Sequence, residues 1–484
     1  MQNTISLKAP NIGSAPELAV GFVGSVASVA GLAHDDAVSL GEATDRLVRF
    51  ALEHAYPEGA EGEIAVEAHL FDGGIRIDVH DWGLPLELAR ARASGEKHTA
   101  AELPGLDLGG LVDEVAFQAL GPEGKLFTIV KHCEHDSPAV SASALMTEHD
   151  DHEQTKTADD LVVRRFEEGD EEGICRLVYR NYSNTYGADF FYLPEKLLER
   201  NLSGEVVSTV ALLDGEIVGH HALLREEQGP LAETGAAVVH PDRKGLGIFN
   251  AMAAQTLEDA RQEGLSAVYA QAVTIHPYSQ KAAHTHGYRE TALAAGRARA
   301  SIRLESNELT RTGKRHAVVV AHLCFDRSPR LLFLPAAYRD QIVKTYDYAG
   351  LELEEPRNGG SSDGAITSEL DAGLNVGTIQ IGRWSDGDEP ACTRAFHYLL
   401  AKHCDMVYAD VDLERVQNVD NVVEALNREG FFYSGVMLLG RDGRDQLRLQ
   451  YENTVDVEDD EIVCYSDFCG ELRDYVLEDR KRVS

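Results

Sequence analysis

Residues 238–252, VVHPDRKGLGIFNAM, combine residue types that can bind an anion. A β-branched run leads into a basic turn that holds Arg243, Lys244, Gly245 and Gly247, and a helical pattern follows. The first amides of a helix have no intrahelical acceptor, the helix dipole favours negative charge there, and glycine lets a ligand approach the backbone. The spacing therefore predicts a phosphate-type site at a strand-to-helix turn.

The segments on either side of this turn predict the elements that hold it. LVVRRF is typical of a strand, EEGICRLVYRNY of a helix, and VVSTVALLDGEIVGHHALL of a hairpin that turns at DGE. LAETGAAVVHP predicts the strand before the turn, and IFNAMAAQTLEDARQEG predicts the helix after it. The strand SAVYAQAV, the helix SQKAAHTHGY and a last strand complete the series.

The composition limits the partners of such a site. The chain has 484 residues, with 81 acidic against 45 basic residues and a formal net charge of −36. A surface of this charge repels nucleic acid and anionic membranes, so neither is expected as a partner. Seven cysteines are scattered without a CxxC pair or a metal-ligand cluster, as in reduced cytoplasmic proteins, and the N-terminal residues resemble no signal peptide.

The chain divides where the composition changes. Residues 136–158 are polar, rich in Ser, Ala, Asp and His, and are interpreted as a linker. A second break is expected near LESNELTRTGKRH. Three domains are therefore predicted, at residues 1–135, 159–305 and 306–484.

The middle domain resembles the GNAT acyltransferases, in which a hairpin, a strand, a glycine-containing turn, a helix and a strand follow in this order. The resemblance implies that acetyl-coenzyme A (acetyl-CoA) is the cofactor and an amine is the acyl acceptor. It further implies that the strand pairs with the pantetheine arm and that the turn binds the pyrophosphate. The residues implied for pantetheine are Val238 and Val239, and those implied for pyrophosphate are Arg243, Lys244, Gly245, Leu246, Gly247 and Ile248. Phe249 stands where the family prefers a small residue.

Acyl transfer to an amine needs a base and a proton donor. Several GNAT members place a base where Glu233 lies here, and His240 is the alternative, although a solvated charge at a strand end also fits Glu233. The tyrosine that often serves as acid is replaced by Ala283. His284, Ser279 or Tyr278 can substitute for it, or coenzyme A leaves as thiolate. No metal is expected, because no carboxylate or cysteine joins the nearby histidines at ligand spacing.

The first domain resembles the ATP-binding domain of anti-sigma-factor serine kinases, within the histidine-kinase-like ATPases. ALEHAY, DWGLP, GLDL and DEV carry this resemblance, which implies nucleotide binding by Asp81, Gly83 and Gly105. The catalytic glutamate and the magnesium-holding asparagine of the family correspond to Arg46 and Phe50. Neither residue can do that work, so ATP is expected to bind weakly or not at all. In this domain LGGLVDEVAFQAL is interpreted as a helix.

The last domain repeats the order of the middle one without a glycine-rich phosphate turn, since SDGDEP is acidic there. The predicted fold class is thus α/β (α+β), a histidine-kinase-like ATPase sandwich followed by two GNAT-like mixed-sheet domains, the second of them non-catalytic. The leading hypothesis is an acetyl-CoA-dependent N-acyltransferase with an N-terminal regulatory or docking domain. The alternatives are a non-catalytic scaffold that binds a protein partner such as a sigma or anti-sigma factor, and an active serine kinase.

Overall fold

The computed structural model describes residues 4–30, 32–56, 61–71, 74–84, 106–132, 161–225, 229–243, 245–298, 314–356, 364–385, 387–453 and 462–483. The chain divides into two compact units, the first formed by residues 1–160 and 167–199 and the second by residues 161–166 and 200–484. Within the described ranges, no helix is long and apolar enough to cross a membrane.

The first unit contains an antiparallel five-stranded sheet in the order β1-β2-β3-β5-β4 and a hydrophobic core between this sheet and two helices. Leu40, Leu47 and Ala51 recur on one face of the second helix and are buried in that core. The elements are β1 (Thr4–Pro10), α1 (Ala15–Val29), α2 (His34–Ala55), β2 (Glu63–Phe71), β3 (Gly74–Asp81), β4 (Glu114–Ala119), β5 (Lys125–His132) and α3 (Glu171–Tyr182), and α4 (Pro194–Ser203) crosses the boundary between the units.

The helix predicted for LGGLVDEVAFQAL is wrong, because residues 114–119 form the strand β4. Val115 and Phe117 alternate with the polar residues Glu114 and Gln118, which is the period of a strand. β4 pairs with β5 so that Phe117 lies opposite Phe127. Cross-strand packing of two aromatic rings therefore outweighs the local helical pattern.

The second unit contains a single twelve-stranded sheet in the order β15-β16-β17-β19-β18-β11-β12-β10-β9-β8-β7-β6, with a separate short pair, β13 and β14. Its strands are β6 (Val162–Arg165), β7 (Val206–Leu213), β8 (Glu216–Leu224), β9 (Leu231–Val239), β10 (Ala267–Val273), β11 (Arg289–Ala298), β12 (His316–Cys324), β13 (Arg330–Leu331), β14 (Leu353–Glu354), β15 (Ile366–Asp371), β16 (Val376–Ile381), β17 (Met406–Asp412), β18 (Phe432–Met437) and β19 (Gln446–Glu452). Its helices are α5 (Ile248–Gln262), α6 (Tyr278–Thr285), α7 (Arg339–Ala349), α8 (Glu389–Ala401), α9 (Val419–Arg428) and α10 (Asp467–Val483).

The two halves of this sheet repeat one topology. In the first half, β9 and β10 are parallel neighbours joined through α5, and β12 lies between β10 and β11. In the second half, β16 and β17 are parallel neighbours joined through α8, and β19 lies between β17 and β18. A register shift follows Glu290 in β11 and Tyr433 in β18, and the halves meet where Ala292 pairs with Gly435.

β12 completes the first half of the sheet, although it follows the break expected after residue 305. It pairs with β10 along one edge and with β11 along the other. The apolar run AVVVAHLC, which was assigned to the last domain, thus lies among the strands of the preceding segment.

Candidate active site

β9 and β10 separate part-way along their length. They pair as parallel strands only from Leu231 to Glu233, opposite residues 267–269. The Thr234 hydroxyl donates to the Tyr269 carbonyl at 3.1 Å, next to the last rung. β9 then continues to Val239, and a cleft opens between strands that are neighbours in the sheet.

A bulge in β9 accompanies this separation. In the pairing with β8, Ala236 and Ala237 together lie opposite His221, so β9 contains one extra residue. Ala236 has a φ of +49°, in the left-handed region that favours glycine. A bulge of this kind bends its strand, so the residues of β9 that follow it diverge from β10.

The turn that follows β9 has open space beside its glycines. Gly245 and Gly247 have φ values of +86° and +75°, and a Cβ on either would meet no described atom within 4 Å. α5 begins directly after them at Ile248, so its first amides face this space without an intrahelical acceptor. Arg243 is exposed beside the turn, and Lys244 lies outside the described residues. The geometry suits an extended anion bound by backbone amides.

The hydrophobic residues around the turn differ in exposure. Val238 is buried and Val239 half-buried, so these residues can offer a ligand mainly their backbone edge, which β10 leaves unpaired. Leu246 is exposed, whereas the side chain of Ile248 is buried against the sheet. The Phe249 ring lies between two imidazoles rather than in the turn.

Glu233 lies on the last rung before the strands separate. Its carboxylate accepts hydrogen bonds from the Tyr269 hydroxyl at 3.2 Å and from the Gln271 side-chain amide at 3.1 Å. The Gln271 oxygen in turn accepts from Arg297 at 3.1 Å. Two neutral donors thus hold a half-buried carboxylate at the mouth of the cleft, where it can act on a proton through a water molecule.

Tyr269 and Gln271 were not singled out from the sequence. They are two residues apart in SAVYAQAV and therefore share one face of β10. This spacing is the signal that the sequence offers for the pair.

His240 is engaged in the turn. Its Nδ1 accepts a hydrogen bond from the Asp242 amide at 3.3 Å, so a neutral ring carries its proton on Nε2. Its side chain is 17% exposed. The contact of His240 is made within the turn, whereas Glu233 lies on the last rung before β9 and β10 separate.

The candidate proton donors lie on and beside α6. Tyr278 is 74% exposed. The Ser279 hydroxyl and the His284 Nδ1 are buried atoms without a hydrogen-bond partner among the described residues, and the same holds for the His276 Nδ1. Ala283, which stands where GNAT members often have an acidic tyrosine, has no side-chain group that can donate a proton. Ser279 and His284 remain hypotheses for this role.

In the first unit, Asp81 is fully buried and has a protein partner. The Lys125 ammonium lies 2.7 Å from Asp81 Oδ1 and donates to the Gly83 carbonyl at 2.9 Å. The Gly83 amide donates to Asp81 Oδ1 at 3.0 Å, and a Cβ at Gly83 would overlap the Ala55 carbonyl. The Lys125 ammonium therefore lies against Asp81 Oδ1, on the side where a ligand of this carboxylate oxygen would bind. Gly105 lies outside the described residues.

Arg46 and Phe50 both make structural contacts in the first unit. Arg46 pairs with Glu42 and donates to the Asp107 carbonyl at 2.7 Å, while Phe50 packs in the core edge-to-face on Phe127. No group of three potential metal ligands occurs in the described part of the chain.

Residues 172–288 match the model of the acetyltransferase (GNAT) family. This segment is a GNAT acetyltransferase domain. The match includes β9, the glycine turn, α5 and β10, and it supports acyl transfer as the chemistry of the cleft. No curated protein sequence matches the chain.

Solved structures that resemble the chain include three acetyltransferases. An N-acetyltransferase from Staphylococcus aureus is 11% identical, with 35% of this chain and 100% of that chain covered and a TM-score of 0.30. A putative acetyltransferase from Salmonella typhimurium, solved with its cofactor acetyl-CoA, is 16% identical, with 35% and 95% covered and a TM-score of 0.29. The ribosomal-protein-S18-alanine N-acetyltransferase from Escherichia coli is 11% identical, with 34% and 94% covered and a TM-score of 0.28.

Proposed function

We propose that this protein is a cytoplasmic N-acyltransferase that takes its acyl group from acetyl-CoA and transfers it to an amine of a small molecule or protein. The observation that carries the proposal is the combination of the β9–β10 cleft with the open glycine turn at the start of α5. A pyrophosphate fits the amides of this turn, and the unpaired edge of β9 offers the pantetheine arm a row of backbone groups.

Bound acetyl-CoA would supply an activated thioester to the cleft. Glu233 would accept the proton of the acceptor ammonium through water, since its carboxylate is held at the mouth of the cleft by Tyr269 and Gln271. His284 or Ser279 would return a proton to the departing sulfur, because each has a buried polar atom without a partner in the described structure. His240 remains the alternative base.

We further propose that the second half of the sheet is a GNAT-like copy without catalytic activity. β16 and β17 stay paired over six consecutive residues, from Val376 to Ile381, so this half has no cleft between its parallel strands. Thr378 pairs with Tyr408 where Glu233 pairs with Tyr269 in the first half, which leaves no carboxylate at that position. The stretch before α8 is acidic and would repel a pyrophosphate.

Residues 1–135, which belong to the first unit, are proposed to form a degenerate ATPase-like domain with a regulatory or docking role. Lys125 holds Asp81, and Arg46 and Phe50 replace the catalytic and metal-holding residues of the kinases that it resembles. These residues oppose ATP binding and kinase activity, and a protein partner, such as a sigma or anti-sigma factor, is the ligand that we propose for this domain instead.

The proposed function is tested by titrating acetyl-CoA calorimetrically into the wild type and into two single variants, Gly245→Asp and Gly264→Asp. Both glycines have positive φ values, +86° and +73°, and both have open space at the Cβ, but Gly264 lies at the opposite end of α5. The two variants therefore add the same charge and similar backbone strain.

Micromolar binding is expected for the wild type and for Gly264→Asp. A carboxylate about 4 Å from a pyrophosphate should weaken binding to Gly245→Asp at least about a hundredfold. Absence of binding to the wild type would refute the assignment of acetyl-CoA. Equal binding to both variants would show that the turn is only a tight connection.

A further inference from the structure

His220 lies beside the bulge that separates β9 from β10. It is on β8, is fully buried, and its ring bridges two neighbouring strands. Its Nδ1 lies 2.9 Å from the Ala236 carbonyl on β9, and its Nε2 lies 3.0 Å from the Ser208 hydroxyl on β7. His220 thus contacts the carbonyl of Ala236, the residue of the bulge that has a left-handed φ.

These contacts fix the direction of both hydrogen bonds. A carbonyl can only accept, so Nδ1 carries the ring proton and donates to Ala236, and Nε2 accepts from the Ser208 hydroxyl. Burial lowers the pKa of His220 to about 4, which keeps the ring neutral at physiological pH. The ring is therefore a fixed donor to the bulge.

The bulge depends on such a donor. An alanine with positive φ is strained, and a strained backbone persists only where its surroundings hold it. Ala236 is 4% exposed, so loss of His220 would remove a hydrogen bond from a carbonyl of a buried residue. A regular β9, by contrast, would continue its pairing along β10 and close the cleft.

The second half of the sheet provides an internal comparison. β15 and β16 pair without a register shift from Ile366 to Asp371, and β16 and β17 do not separate. When β15 and β16 are aligned with β8 and β9 so that Thr378 matches Glu233, Ile366 matches His221. Ala365 then matches His220. The bulge, the histidine and the cleft occur together in one half and are together absent from the other.

We propose that His220 is a positioning residue that holds the Ala236 bulge and thereby keeps the acyl-CoA cleft open. This inference rests on the proposed function, because acetyl-CoA is the ligand that the cleft would take. It predicts that loss of the donor weakens cofactor binding, whereas a buried histidine with a purely structural role would affect stability alone.

The test compares His220→Asn with His220→Gln. The asparagine amide nitrogen can occupy the place of Nδ1 and still donate to Ala236, whereas the glutamine nitrogen reaches the place of Nε2 beside Ser208. Calorimetry with acetyl-CoA should give near wild-type affinity for His220→Asn. His220→Gln should bind roughly tenfold more weakly, because one buried carbonyl loses its donor. In steady-state kinetics, the KM for acetyl-CoA should rise more than kcat falls.

Two further variants separate positioning from stability. Adding Ala236→Gly to His220→Gln should restore much of the affinity, because glycine adopts positive φ without strain. Tyr408→Phe removes a buried donor from the Ala295 carbonyl, 3.0 Å away on another strand, and should lower the melting temperature without changing the affinity.

Wild-type affinity in His220→Gln, with a melting temperature lowered as in Tyr408→Phe, would overturn the proposal. Equal losses of affinity in His220→Asn and His220→Gln, without rescue by Ala236→Gly, would overturn it as well. Failure of the wild type to bind acetyl-CoA would instead refute the proposed function.

Discussion

Removal of the Lys125 ammonium should strongly destabilise the first unit. Lys125 is 4% exposed and Asp81 fully buried, with 2.7 Å between the ammonium nitrogen and Oδ1. Burial lowers the pKa of Lys125, and the Asp81 carboxylate opposes this shift. Asp81 Oδ2 has no hydrogen-bond partner among the described residues, so Lys125 is the main compensation for its charge. Lys125→Met keeps most of the side-chain volume and leaves that charge uncompensated.

The expected loss is about 3–5 kcal/mol in the free energy of unfolding, the cost of breaking a buried ion pair by removing one partner. Replacing both partners by apolar residues, as in Asp81→Leu with Lys125→Met, should recover much of this loss. Lys131→Met is the matched control on the same strand. Lys131 lies 3.2 Å from Asp36 and 3.8 Å from Asp113, and both carboxylates are partly exposed and remain hydrated, so its loss should cost about 1 kcal/mol.

Urea unfolding followed by tryptophan fluorescence can measure this effect in the full chain. The protein has two tryptophans, and Trp82 directly follows Asp81 in the first unit. In a Trp384→Phe background, the remaining fluorescence reports on that unit alone. Equal losses for Lys125→Met and Lys131→Met would refute the view that Lys125 compensates a buried Asp81 charge. ATP binding to the wild type, with Lys125 in place, would refute the expected loss of nucleotide affinity.

Two predictions concern the second unit. Glu233→Gln should lower kcat by roughly a hundred- to ten-thousandfold, the contribution of a general base, while acetyl-CoA affinity stays near that of the wild type; a kcat within about threefold of the wild type would exclude Glu233 as the base. Burial lowers the pKa of His220 to about 4 and the pKa values of His221 and His322 to about 3, from an ordinary value of 6.5. Below pH 6.5 these three histidines take up protons in the unfolded chain but stay neutral in the folded unit. The free energy of unfolding therefore falls as the pH falls from about 6 to 4, by about 4 kcal/mol per pH unit for the three residues together. His220→Asn should reduce this contribution by about a third in urea unfolding at several pH values, and an unchanged slope would contradict the assignment.

The sequence predicted the elements of the GNAT domain because each has a strong local signal. The hairpin turns at Asp214 and Gly215, where DGE was noted, and the strand before the glycine turn and the helix after it lie where the pattern placed them. Glu233 was found by its place in a family pattern. In the structure it lies on the last rung before the cleft, which no local pattern encodes.

The parts that the sequence did not predict depend on contacts between distant residues. β4 forms because Phe117 packs on Phe127, and Asp81 is paired with Lys125, which belongs to another strand. Gly235 is the only local sign of the bulge, but the left-handed φ falls on the next residue, Ala236, whose carbonyl is contacted from β8. Information of this kind becomes available only when the register of neighbouring strands is known.

The meeting point of the two halves of the sheet suggests how the chain arose. Ala292 and Gly435 pair with each other, and each lies five residues after a glycine with a left-handed φ, Gly287 at +91° and Gly430 at +92°. The same position of each half therefore contacts its own counterpart, as across the twofold axis of a homodimer. This is the contact expected if an ancestral symmetric dimer was joined by gene duplication into one polypeptide. Each half would then keep the strand that contacts the other half, whether or not it binds a ligand.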